Sequence, residues 1–234
     1  MRLDRGRAHL RIATLSAQGA GIHARARRDP AERQLSEGFG QAYYDRWYRH
    51  PRHRISTAAE RARIARTIIA LAEQLLGRRA RNALDVGCGE GLWRAALRRE
   101  RPHLEYLGIE PSAYAVARYG TRRNIRRGDL ASLDGSGIRE HFDIVICNDV
   151  LHYIPAPTLR LGVHALAKRL RGIAYLALFT SADDIEGDLQ GYLRRSPSFY
   201  RRALEDAGLR AVGMHCWIPE PLAHDRAALE LTGA

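Results

Sequence analysis

The chain has 234 residues, a hydrophobic share of 45% and a formal net charge of +12. That length and composition hold one α/β domain with a helical extension, while no apolar run reaches a membrane span and the first thirty residues lack the apolar stretch of a secretory signal, so a cytoplasmic protein is expected. The positive charge is almost all arginine, Lys168 being the only lysine, and it is spread along the chain without interleaved aromatics; this predicts a generally basic, solvated surface rather than a nucleic-acid site.

In chain order, an arginine-rich arm is expected up to about residue 37, followed by an aromatic segment, Gln41-Ala-Tyr-Tyr-Asp-Arg-Trp-Tyr48, ending at Pro51. Residues 1–53 are read as this arm and cover, and 54–234 as the main domain. Ser56 to Leu76 reads as a long helix. Ser56 or Thr57 can cap it, Ile64, Ile68, Leu71 and Leu75 recur at helical spacing, and Gly77 stops it. From Asn82 the pattern changes to short apolar strands alternating with helices. Strands are expected at 83–86, 104–109, 124–127, 142–147 and 173–179, with helices from Leu92, from Pro111, at 157–170 and at 197–207. Residues 209–218 and 227–231 are expected to finish the chain as a strand pair. Such alternation argues a parallel sheet with helices on both faces, and it places a ligand at the carboxyl ends of the strands.

The most informative segment is Leu84-Asp-Val-Gly-Cys-Gly-Glu-Gly-Leu92, which joins a strand to a helix. Gly87, Gly89 and Gly91 tolerate positive φ and let a ligand approach the backbone. Their spacing is G-x-G-x-G, whereas the dinucleotide fingerprint is G-x-G-x-x-G. Asp85 stands two residues before the loop. A carboxylate there repels a pyrophosphate and favours an ammonium or sulfonium, so a cationic cofactor is expected. Glu110, at the end of the second strand, is suited to accept hydrogen bonds from both hydroxyls of a ribose. Gly128-Asp129-Leu130 follows the third strand, and Asn148-Asp149 ends the fourth.

These motifs, in this order, resemble the class I methyltransferases that use S-adenosylmethionine. LDVGCGEG is similar to their first motif, IEPS to their ribose-binding acid, GDL to their adenine-binding turn and FDIVICNDVLHYI to their fourth-strand motif. The resemblance implies a Rossmann-like, seven-stranded, mostly parallel sheet whose last strand runs antiparallel, with an N-terminal helical cover. It implies S-adenosylmethionine as cofactor and S-adenosylhomocysteine as product. It also implies a cofactor site drawn from Asp85, Gly87, Cys88, Gly89, Gly91, Glu110, Pro111, Asp129, Leu130, Asn148 and Asp149. The segment from Trp47 to Leu76 is loosely similar to the nodulation N-methyltransferases, with His152 where that family has Tyr.

Methyl transfer needs alignment, exclusion of water and, for some nucleophiles, a base. His152 and Tyr153, at the mouth after the fourth strand, are the expected catalytic pair. Tyr44, Trp47 and Tyr48 of the aromatic segment, Asp183 of the acidic stretch 181–188, and Tyr200 are the expected acceptor contacts. The acidic stretch is suited to attract a cationic acceptor, or to form a solvated loop paired with Arg194 and Arg195. Cys88, Cys147 and Cys216 show no ligand spacing, so buried reduced thiols and no bound metal are expected. The reading is a methyltransferase acting on a small-molecule nitrogen or oxygen, as a monomer or homodimer, without nucleic acid or membrane. The alternatives are an RNA methyltransferase that uses the arginine surface and a cofactor-binding protein without catalysis.

Overall fold

The computed structural model describes residues 11–12, 39–52, 56–184, 186–187 and 191–225. Most of the expected arm and the expected strand at 227–231 lie outside the described residues. Within the arm, Arg11–Ile12 pairs in parallel with Glu186–Gly187.

A short helix, α1 (Gln41–Tyr44), runs into a π-helical turn at Asp45–Arg49. The long helix α2 (Ala58–Leu76) begins in a capping box. Thr57 Oγ1 accepts from Glu60 N at 3.1 Å, and the Glu60 carboxylate accepts from Thr57 N at 2.6 Å, satisfying two helix-start amides at once. Gly77 ends it at φ +61. Its buried stripe is Ala65, Ile68, Ile69 and Ala72, with Ile64, Leu71 and Leu75 at the margin. The alanines bring the helix axis close to the sheet, so the apolar face is rotated from the one the larger side chains suggest.

The main sheet has seven strands: β1 (Asn82–Val86), β2 (Glu105–Glu110), β3 (Ile125–Arg127), β4 (Phe142–Ile146), β5 (Leu170–Tyr175), β6 (Leu209–Gly213) and β7 (Cys216–Pro219). Their order is β3-β2-β1-β4-β5-β7-β6. β7 runs against the other six strands, antiparallel to both β5 and β6. Strand order reverses between β1 and β4, and that switch point opens a crevice at the carboxyl ends of the strands. Helices α3 (Trp93–Glu100) and α2 cover one face of the sheet. Helices α5 (Ala156–Ala167) and α6 (Pro197–Asp206) cover the other. Helix α4 (Ala113–Arg123) connects β2 to β3.

Several expected boundaries move. Ser112, not Pro111, starts α4: its Oγ accepts from Ala115 N at 3.1 Å. Strand β5 begins at Leu170, three residues early, because Leu170 pairs with Phe142 across the sheet. The expected continuous strand over 209–218 is a hairpin, β6–β7, that turns through Met214 (φ +52) and His215 (φ +62). The left-handed conformation is uncommon for residues other than glycine. It is held by pairing of the returning strand with β5, including Leu176 N to His215 O at 2.9 Å. All three cysteines are buried and unpaired. No described helix is long and apolar enough to cross a membrane.

Candidate functional site

Beyond β1 the chain turns through three glycines in the left-handed region, Gly87 (φ +70), Gly89 (φ +55) and Gly91 (φ +68). Glycine adopts these angles without steric cost. Ile109 O accepts from Gly87 N at 2.8 Å and Cys88 N at 3.1 Å, which fastens the loop to the end of β2. A Cβ on Gly87 would lie 2.4 Å from Val150 Cγ2, and one on Gly89 2.1 Å from the Tyr48 hydroxyl. The loop therefore presents bare backbone to the crevice.

Glu110 closes the next strand and is 4% exposed. Its Oε2 accepts from Gly89 N at 2.7 Å, and its Oε1 accepts from Ser112 N at 2.9 Å and from the Tyr44 hydroxyl at 3.4 Å. Burial raises its carboxyl above the usual range in spite of these bonds. Beyond β3, Asp129 Oδ1 accepts from Ser132 N at 2.7 Å, closing the turn that carries Leu130. Beyond β4, Asp149 sits at φ +58, with its amide donating to Ala177 O at 2.9 Å. Asn148 Nδ2 donates to Asp149 Oδ2 at 2.8 Å. Among the described residues, Asp149 Oδ1 is buried with no hydrogen-bond partner. Burial pushes this carboxyl up to about 7.

These groups line one groove of about 1010 Å³ of atom-free space, open mouth included. Of the expected cofactor residues, Gly87, Gly89, Glu110, Pro111, Asp129, Leu130, Asn148 and Asp149 form its walls. So do Tyr44, Tyr48 and Tyr153 from the expected acceptor and catalytic sets. The remaining wall includes Phe39, Tyr43, Val150, Ile154, Pro155 and Thr158. Val150 and the stretch 154–158 directly follow the fourth-strand motif, so adjacency in sequence is the signal that marks them.

The other expected residues lie elsewhere. Asp85 shares its strand face with Ala83, opposite Leu84 and Val86, and is 1% exposed. Its Oδ2 accepts from the Tyr106 hydroxyl at 2.6 Å, beneath the glycine loop. Burial, only partly offset by that bond, pushes it up to about 7. Cys88 turns inward against Gly108, and Gly91 faces Ile125 and Tyr106. Trp47 is buried under the Arg46 guanidinium, 4.8 Å from its ring centroid. His152 is fully buried, and its Nδ1 accepts from Phe179 N at 3.3 Å. Desolvation pushes its pKa down to about 3, so it is neutral in the fold. Asp183 closes its own turn, accepting from Thr180 N at 2.7 Å and Thr180 Oγ1 at 2.9 Å. Tyr200 packs within the core cluster under α5. Arg194 Nη2 donates to Ser181 O at 3.2 Å.

The aromatic segment covers the groove as a connected cluster. Tyr44 lies 4.8 Å from Tyr48 and stacks 5.5 Å from Tyr114, centroid to centroid. Arg49 pins the cover to the loop: it pairs with Glu90 and donates to the Tyr119 hydroxyl at 2.9 Å. The Arg122 and Arg123 guanidinia lie 5.4 and 4.3 Å from the same Tyr119 ring. Much of the arginine charge beside the groove is thus held by internal contacts. No cluster of potential metal ligands occurs among the described residues.

Comparison with known proteins finds similarity over part of the chain. Residues 84–173 match the family described as a methyltransferase domain. Trans-aconitate 2-methyltransferase of Deinococcus radiodurans is 31% identical over 127 residues, 47% of this chain and 47% of that protein. The match thus spans about half the length of that curated relative. Among solved structures, magnesium protoporphyrin IX methyltransferase of Synechocystis with bound S-adenosylmethionine has a TM-score of 0.53 at 19% identity, covering 80% of this chain and 89% of that one. An amino pentose methyltransferase from Micromonospora echinaspora, also with S-adenosylmethionine bound, has a TM-score of 0.54 at 18% identity, covering 69% of this chain and 90% of that one. At these identities the structural matches establish a shared fold.

Proposed function

We propose, from the premise that this chain carries a class I S-adenosylmethionine-dependent methyltransferase domain, that it transfers a methyl group to a nitrogen or oxygen of a small molecule. The observation that carries this reading is Asp149 Oδ1, a buried carboxylate oxygen at the groove wall with no partner. Native folds rarely leave such an atom unpaired, and the ammonium of the cofactor's amino-acid end satisfies it. Glu110 holds the ribose, Asp129 and Leu130 the adenine edge, and the bare backbone at Gly87 and Gly89 the middle. When bound, the cofactor supplies an electrophilic methyl on a sulfonium. The tyrosines of the cover offer ring faces to that cation and exclude water from it. Tyr153, which faces the groove, orients the acceptor, and His152 steadies the turn beneath it. Residues 54–234 act as the catalytic domain, with the aromatic segment before it as the cover.

Two measurements test the proposal. Incubation with isotopically labelled S-adenosylmethionine and small-molecule extracts, read by mass spectrometry, is expected to give a product heavier by one labelled methyl group. Absence of any labelled product across extracts counts against it. Binding of S-adenosylhomocysteine is expected to strengthen as pH rises through about 7. The sign follows from Asp149: protonated below that range it meets the ammonium as a neutral acid, and ionised above it as a partner charge. Asp149→Asn is expected to flatten this pH dependence in calorimetric titrations. An unaltered pH profile in the variant rejects the assignment.

A further inference from the structure

The segment after β5 returns along the turn that follows β4. Leu193 N donates to His152 O at 2.9 Å, and the His152 and Tyr192 rings are 5.7 Å apart. Next along the chain, the Arg195 guanidinium lies 4.9 Å from the Phe199 ring and 5.9 Å from the Tyr200 ring. By strict hydrogen-bond geometry four polar atoms here are buried with no partner among the described residues: His152 Nε2, Tyr192 Oη, Arg195 Nη1 and Tyr200 Oη, although the Arg195 side chain comes close enough to the Tyr200 hydroxyl to act on it as a hydrogen-bond donor. Every one can donate. Guanidinium nitrogens only donate, and each tyrosine hydroxyl carries a proton. Because His152 Nδ1 accepts the Phe179 amide, the proton of the neutral ring sits on Nε2. Asp183, the carboxylate that interacts with Tyr192, has Oδ2 engaged by Thr180.

A single orphaned donor is unremarkable in a fold, but four neighbouring ones call for a ligand rich in acceptors. We propose that His152, Tyr192, Arg195 and Tyr200 form a subsite for an anionic group of the methyl acceptor, a carboxylate or a phosphate. This rests on the reading of the adjoining groove as the cofactor site. Tyr153 lines that groove, and its ring centroid is 4.3 Å from that of His152. A molecule anchored on the four donors therefore extends past Tyr153 toward the transferable methyl. Charge sets its direction. The groove wall contains Glu110, Asp129 and Asp149 and, among the described residues, no lysine or arginine. An anion is repelled from the groove and drawn to the donors, so the acceptor binds in one orientation.

The test uses succinate, tricarballylate and inorganic phosphate as probes, each titrated calorimetrically into the full chain with and without S-adenosylhomocysteine. At least one probe is expected to bind the wild type and raise its melting temperature. Arg195→Gln, and separately the double variant Tyr192→Phe with Tyr200→Phe, are expected to weaken that binding tenfold or more while leaving affinity for S-adenosylhomocysteine unchanged. Binding of the carboxylates alone or of phosphate alone identifies the anion. Without a probe, the single variant Tyr192→Phe is expected to melt no lower than the wild type, because it loses only an unpaired hydroxyl, whereas Tyr200→Phe also removes the hydroxyl that Arg195 approaches. Failure of all three probes to bind, equal binding by the variants, or a lower melting temperature of the probe-free Tyr192→Phe variant overturns the proposal. Failure of S-adenosylhomocysteine to bind the wild type instead overturns the cofactor reading, and the anion titrations are read separately from it.

Discussion

Replacing Glu110 with alanine is expected to weaken S-adenosylhomocysteine binding roughly tenfold to a hundredfold, because a hydrogen bond to a charged group is worth about 1.5–3 kcal/mol. The carboxylate is buried at the groove wall and already holds two backbone amides, Gly89 N at 2.7 Å and Ser112 N at 2.9 Å. It is therefore fixed before a ligand arrives, and little ordering entropy opposes the proposed ribose contact. Its loss also frees the Gly89 amide, so the loop loosens together with the ribose contact. Glu110→Gln separates the two contributions: it keeps one acceptor oxygen and the side-chain shape, and a smaller loss is expected. Asp85→Ala provides the contrast. Asp85 is bonded to Tyr106 and does not line the groove. Its removal is expected to act mainly on stability, by orphaning the buried Tyr106 hydroxyl. Calorimetric titration of the three variants decides the matter; equal affinities for wild type and Glu110→Ala would remove Glu110 from the cofactor site.

Asp143→Ala is expected to destabilise the fold by about 3 kcal/mol, the lower end of the range for breaking a buried ion pair. Asp143 opens β4 and is 2% exposed. Its two oxygens accept from Arg78 Nη1 and Nη2, each at 2.7 Å, and Oδ2 also accepts from Arg81 N at 2.8 Å. The fork ties the end of α2 to the start of the central strands. The lower end applies because the Arg78 side chain is 31% exposed and rehydrates once its partner is gone. Burial works to raise the Asp143 pKa, but the Arg78 hydrogen bonds and the Arg81 amide outweigh it and hold the carboxyl below the usual range. A group depressed in the fold stabilises it above the unfolded pKa, near 3.9. That contribution is lost as pH falls through the folded pKa. Urea denaturation at pH 7 and at pH 3 measures both effects. The advantage of the wild type over Asp143→Ala is expected to be smaller at the acid end, and a constant difference would place the stabilisation elsewhere.

Features set by short-range chemistry were readable along the chain. The G-x-G-x-G spacing, the strand-end acids Glu110, Asp129 and Asp149, and the Thr57 cap each depend on a few neighbouring residues, and backbone geometry limits what such runs can form. Boundaries and burial depended on distant partners. The sequence shows Asp85 next to the glycine loop, but strand alternation turns its carboxylate under the sheet to Tyr106. His152 and Tyr153 are adjacent, yet only Tyr153 faces the groove, because His152 is buried against Phe179 and Tyr192. The turn at Met214–His215 has no glycine or asparagine at its centre to announce it, since pairing of β7 with β5 holds it in place. The sequence by itself determined the order of strands and helices and the residue types at the strand tips, because periodicity and glycine spacing are local. Only the tertiary structure decided which of those side chains share a groove and which donors remain unpaired, because both depend on contacts between residues far apart in the chain.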